Sequence, residues 1–174
     1  MWIRHLSDYL DKITRIVVMI LLGVMFLIVF GNAVLRYLFE FSFVGSYDYS
    51  RILFIWTTFF GASVVYKQKG HPKFDFLHAK TRGVVRFAVD LLINLLVIGF
   101  LVIIMTVGTR LTYSIAAQTL PASGVSAMWL YLPIIIASAI MLIHAITFLL
   151  YDFLAGLSSR RRINGAMARE VKNV

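Results

Sequence analysis

Apolar residues run almost unbroken through four stretches, 16–38, 48–66, 84–112 and 125–150, with short polar gaps between them. Each is close to the ~20 residues that a helix needs to cross a bilayer. As soluble helices they would lack the water-facing side that an amphipathic helix carries. The pattern therefore predicts an all-α integral membrane protein, a bundle of four transmembrane helices in one domain over residues 1–174. Ahead of the first stretch, Trp2, Ile3, Leu6, Tyr9, Leu10 and Ile13 recur at spacings of three and four, with Arg4, Asp8, Asp11, Lys12 and Arg15 interposed. That period predicts a short amphipathic helix over 1–15 lying along the membrane surface.

The gaps and helix ends carry their own signals. The second stretch is the least apolar: Tyr47, Asp48, Tyr49, Ser50 and Arg51 open it, and Thr57, Thr58, Gly61, Ala62 and Ser63 lie within it. Small and hydroxylated residues let helices approach closely and share hydrogen bonds, so this helix is expected to face protein. In the third stretch Arg86, Asp90 and Asn94 fall on one stripe, read as a headgroup-level ion pair that anchors the helix. Residues 118–126 contain Pro121 and Gly124 among small polar residues and predict a tight turn. Trp129 and Tyr131 then mark a membrane interface, and Pro133 sits in the first turns of the fourth helix, where a missing amide hydrogen costs little. Residues 158–174 read as a solvated basic tail. Gly31 and Ala33 superficially fit a signal-peptide cleavage site. The run before them is long for a signal, and Asp8 and Asp11 precede it, so a retained helix is expected.

Charge adds an orientation. Fourteen of the seventeen Lys and Arg residues precede the first stretch, lie between or beside the second and third, or follow the fourth; Arg36, Arg51 and Arg110 remain for the other side. The positive-inside bias then places both termini and the central loop in the cytoplasm, with four crossings matching that parity. The net charge of +9 reads as contact with anionic phospholipid headgroups, and no nucleic-acid-binding module is present. With 60% hydrophobic and 14% charged residues, polar surface cannot cover a globule of this size. The lack of cysteine removes disulfides, thiolate metal sites and thiol nucleophiles.

Few side chains suggest chemistry. Asp48 and Arg51, at i and i+3, read either as an ion pair that positions the second helix or as a plain helix-end pair in headgroup water. His71 and Asp75 stand four apart beside Pro72 and read as a structural turn, since two ligands without a third group make no metal site. His144 lies deep in the fourth stretch and alone, with a hydrogen bond to a neighbouring helix expected. A haem-anchoring subunit would need two deep histidines. A small dimeric proton-coupled exporter would need an embedded carboxylate. A Ser63–His144 dyad would lack an oxyanion hole and a water-filled cleft, so no enzyme, cofactor or metal site is expected.

Three blocks of sequence carry a resemblance: 32–37 (Asn-Ala-Val-Leu-Arg-Tyr); Asp48-Tyr49-Ser50-Arg51 running into 54–63, followed by Gly70-His71 and Asp75; and 118–121 through Trp129, Tyr131 and Pro133. In order and spacing they resemble the small membrane subunit of tripartite ATP-independent periplasmic (TRAP) transporters. That family usually has glutamate where Asp48 stands; the shorter carboxylate still permits pairing with Arg51. The resemblance implies a non-enzymatic scaffold that braces a large multi-spanning membrane subunit, which carries the solute and sodium sites. A periplasmic solute-binding protein delivers an organic acid such as a sialic acid or a C4-dicarboxylate. On this reading Arg36, Asp48, Arg51, Trp56, Gly61, Ala62, His71, Asp75, Pro121, Tyr131 and Pro133 are the candidate interface or structural residues.

Overall fold

A computed structural model describes the backbone of residues 2–68 and 84–172, and the side chains of 5–68, 88, 89 and 91–150. Four helices account for nearly all of it: α1 Trp2–Phe39, α2 Ser46–Gln68, α3 Val84–Ser114 and α4 Met128–Lys172. Among the described residues the only β feature is an isolated bridge between Thr119 and Ser126. The all-α expectation holds, and three helices carry segments long and apolar enough to cross a membrane: His5–Phe39, Leu91–Ser114 and Met128–Leu150. The second helix is long enough at 23 residues, but its polar composition keeps it out of that group.

Two boundaries differ from expectation. The surface helix expected over 1–15 is the first part of α1, which runs 38 residues without a break, about 57 Å at 1.5 Å per residue. Nothing there stops a helix: residues 2–22 contain neither glycine nor proline. Its polar stripe is also not left to water, because Ser7, Asp11 and Thr14, at helical spacing, are buried. At the other terminus the helix of α4 continues to Lys172, through the stretch expected as a solvated tail.

The helices pack as a row in the order α1, α2, α4, α3, with α1 also touching α4. Neighbours α1 and α2 are antiparallel, as are α3 and α4, while α2 and α4 run the same way. Lys67 near the end of α2 meets Ser7 and Asp8 near the start of α1. Tyr66 packs on Phe148, and Trp56 packs on Trp129. Where α3 crosses α4, Gly108 lets the backbones close: a Cβ there would lie 3.5 Å from Ile135 Cγ1 and 3.7 Å from Ile134 Cγ2.

A row leaves most side chains uncovered. Only 6%, 17% and 28% of the residues in the most apolar windows of α1, α3 and α4 are buried within the chain. Among the described residues the fully buried large side chains are mainly polar ones, His144, Asn94 and Asp48, together with Pro133. Hydrophobic burial in water does not hold such a structure together, because lipid is as apolar as leucine; close packing and hydrogen bonds between helices do.

Candidate partner-binding surface

The end of the row that carries the helix-connecting turns is fastened by Asp48. The segment 118–127 folds back on itself: Leu120 N donates to Val125 O at 2.8 Å, Ala127 N to Gln118 O at 2.8 Å, and Gly124 N to Leu120 O at 2.9 Å. Gly124 takes the left-handed conformation, φ +69°, that closes this turn and that side chains disfavour. The amides at its tip have no ladder partner. They donate instead to one carboxylate oxygen of Asp48, Ala122 N at 3.0 Å and Ser123 N at 2.8 Å, joined by the Ser123 hydroxyl at 3.0 Å. Asp48 is 2% exposed. Of the two readings of Asp48 and Arg51, the ion pair is not formed: Arg51 is exposed and has no salt bridge among the described residues. Three preorganised donors outcompete a flexible guanidinium that keeps its hydration by staying outside.

One helical step deeper, Trp56 and Pro133 act together. Proline has no amide hydrogen, so Pro133 leaves the carbonyl four residues earlier, that of Trp129, without its helical donor. The indole of Trp56 fills the gap, Nε1 donating to Trp129 O at 2.8 Å. Its ring also lies against Phe60 at 5.6 Å and Trp129 at 6.0 Å between centroids. Pro133 is fully buried. The polar cost of a proline inside a membrane helix is thus met by a neighbouring helix.

The other turn, between α1 and α2, is tied down from within. Asn32 Oδ1 accepts from Phe43 N at 2.9 Å, and the Phe43 ring stacks on Tyr49 at 6.0 Å. Gly45 sits between them, where a Cβ would come within 3.2 Å of both rings, so a larger residue would have to push the rings aside by a few tenths of an ångström.

With these residues turned inward, the outward face of α2 is clear. Tyr47, Arg51, Phe54, Thr58, Ala62 and Val65 follow one another at steps of three or four and are all exposed. They form one stripe along the helix. Beside it Gly61 is half-buried, and a Cβ there would meet nothing within 4 Å, so its small size relieves no contact within this chain. Arg36 in the last turn of α1 and Pro121 at the tip of the turn are exposed, and Tyr131 is half-buried. His71 and Asp75 lie outside the described residues, as do the side chains of Arg86 and Asp90. The expected residues thus divide in two. Asp48, Trp56 and Pro133 hold the chain to itself, whereas Arg36, Arg51, Ala62 and Pro121 point away from it.

The family model for the DctQ component of tripartite ATP-independent periplasmic transporters matches residues 25–155. The chain belongs to this family. It is 31% identical over 133 residues to a TRAP transporter small permease protein of Haemophilus influenzae, an alignment covering 76% of this chain and 81% of that one. A second small permease protein of the same organism is 30% identical over 93 residues, 51% of this chain and 58% of the other. As a DctQ component it is a multi-pass membrane subunit and a transport component, not an enzyme. The tripartite system joins it to a large membrane subunit and a periplasmic binding protein.

Several residues that build this TRAP subunit were invisible in its sequence. Ser123 and Lys67 look like ordinary polar positions, and only the fold brings them to Asp48 and to Ser7. His144 is a correction. It lies within the apolar span of α4 and is fully buried, but it is not alone, because its Nδ1 lies 2.7 Å from Ser7 Oγ. The expectation of a hydrogen bond to a neighbouring helix holds, but the partner is in the segment expected to lie apart on the membrane surface.

Proposed function

We propose that this chain is the scaffold subunit of a sodium-driven TRAP transporter for organic acids of the sialic acid or C4-dicarboxylate class, bracing the large transport subunit through the uncovered face of α2. On this reading the basic end of the row, with both termini, faces the cytoplasm of a bacterium across its inner membrane. There the Lys and Arg residues contact anionic phospholipid. The turns that Asp48 fastens face the periplasm, from which the binding protein delivers solute.

The observation that carries the proposal is the stripe Tyr47, Arg51, Phe54, Thr58, Ala62 and Val65. It lies on the one described helix too polar to rank with the apolar spans. A guanidinium, a hydroxyl and a small side chain in one line make a poor surface for acyl chains and a good one for a second protein, where small residues allow close approach. The exposed faces of α1 and α3 are rich in leucine, isoleucine and phenylalanine instead, which suits lipid.

The test is Ala62→Trp, which adds bulk to the stripe without touching Asp48 or Trp56. The variant should fold like the parent in mild detergent, while recovery of the large subunit with it falls at least tenfold and organic-acid uptake in cells is lost. Undiminished co-purification would remove this face from the interface. Uptake that survives deletion of the whole chain would remove the bracing role.

A further inference from the structure

At the basic end, α1, α2 and α4 meet around a buried polar cluster. Lys67 Nζ donates to Ser7 Oγ at 2.6 Å and pairs with Asp8 at 2.9 Å. Ser7 Oγ lies 2.7 Å from His144 Nδ1. A hydroxyl that accepts from an ammonium is free to donate its own hydrogen to Nδ1, and in that arrangement the imidazole proton sits on Nε2. That nitrogen is buried and has no hydrogen-bond partner among the described residues.

Besides the hydroxyl of Tyr66, whose ring lies on Phe148, two more orphans among the described residues stand near this level. One turn along α1 from Ser7 is Asp11: its Oδ2 is taken by Arg15 at 2.6 and 3.0 Å, while Oδ1 is buried and unpartnered. One turn back along α2 from Lys67 is Ser63, fully buried, its hydroxyl unpartnered. Because α1 and α2 are antiparallel, the Ser7–Lys67 contact sets Asp11 opposite Ser63. On the parallel α4, the packing of Tyr66 on Phe148 sets Ser63 near His144 and Ala145. By this register the His144 ring, the Asp11 carboxylate and the Ser63 hydroxyl, each on a different helix, fall within about one turn of one another.

We propose that this junction binds a single water molecule, which accepts the Nε2 hydrogen of His144 and donates its own hydrogens to Asp11 Oδ1 and Ser63 Oγ. Three partners are what buried waters typically have, and three unpaired polar atoms in a low-dielectric core are costly without one. A metal cation does not fit: the imidazole presents a hydrogen rather than a lone pair, and the Lys67 ammonium is two bonds away through Ser7. The water ties the first part of α1 to α2 and α4 in the layer next to the Lys67 contacts.

The test is proton-detected NMR of the full chain in lipid nanodiscs, ¹⁵N-labelled at histidine, with His5, His71 and His78 changed to glutamine. The His144 ring should show the Nε2–H tautomer and a cross peak from that hydrogen to a slowly exchanging water. Ser63→Ala should keep the tautomer and at least halve the cross peak. Asp11→Asn should shift the water resonance. An Nδ1–H tautomer, an Nε2–H without a water contact, or a Ser63→Ala spectrum identical to the parent would each overturn the three-partner site.

Discussion

Replacing Asp48 with alanine removes the single oxygen that accepts the Ala122 amide, the Ser123 amide and the Ser123 hydroxyl at 3.0, 2.8 and 3.0 Å. A hydrogen bond to a charged group is worth about 1.5–3 kcal/mol, so simple addition would reach about 4.5–9 kcal/mol. Bonds that share one acceptor are not independent, and the turn is only part-buried, so the freed amides regain some water. We expect Asp48→Ala to destabilise the chain by about 2–4 kcal/mol, and Asp48→Asn, which keeps a neutral acceptor, by about 1–2 kcal/mol. Arg51→Ala should stay within about 0.5 kcal/mol, because the guanidinium is exposed and has no salt bridge among the described residues. The assay is equilibrium unfolding of the purified chain in mixed micelles, followed by tryptophan fluorescence in a Trp2→Phe background. Trp56 and Trp129, 6.0 Å apart, then report on the region next to the Asp48 contact. A loss below about 1 kcal/mol for Asp48→Ala would refute the reasoning, since even one charged hydrogen bond exceeds it. So would an Arg51→Ala variant as unstable as Asp48→Ala, which would restore the ion pair.

Two further outcomes follow from the helix contacts. Trp56→Phe keeps a ring but abandons the Trp129 carbonyl, and should cost about 1–2 kcal/mol in the same assay. Adding Pro133→Ala returns an amide hydrogen to that carbonyl and should recover most of the loss; no recovery would break the link between the two residues. Gly108→Leu should destabilise the chain by about 1–3 kcal/mol by overpacking against Ile134 and Ile135. Gly61→Leu should leave the isolated chain within about 0.5 kcal/mol of the parent and lower recovery of the large subunit instead. Equal effects of the two substitutions on the isolated chain would show that Gly61 is an internal contact.

Much of the fold was legible because membrane helices announce themselves by length and composition. The second to fourth apolar stretches begin within three residues of α2, α3 and α4, and the turn containing Pro121 and Gly124 falls where expected. Helix ends were harder, because a helix does not stop where the acyl chains stop; α1 takes in the polar residues 2–15 and buries Ser7 and Asp11. The roles of polar residues were least legible. The i, i+3 spacing of Asp48 and Arg51 suggested each other, yet the partners of Asp48 are 74 and 75 residues away, and those of His144 and Ser7 are 137 apart. Local spacing describes what one helix can do alone and is silent about amides that a distant turn leaves bare. Pro133 marks in the sequence which carbonyl lacks its helical donor, that of Trp129, but only the fold shows that Trp56 supplies one.

The clasp on Asp48 also sets an order of assembly. Its acceptor leaves the ribosome well before its donors, for Ala122 and Ser123 follow 74 and 75 residues later. At synthesis rates of about 5–20 residues per second, the nascent carboxylate waits roughly 4–15 s for them. During that interval the first hairpin carries near its tip a carboxylate whose partners do not yet exist, a group that is costly to bury unpaired. The contact can close only after the second hairpin has been made, so Asp48 joins the two halves late in synthesis.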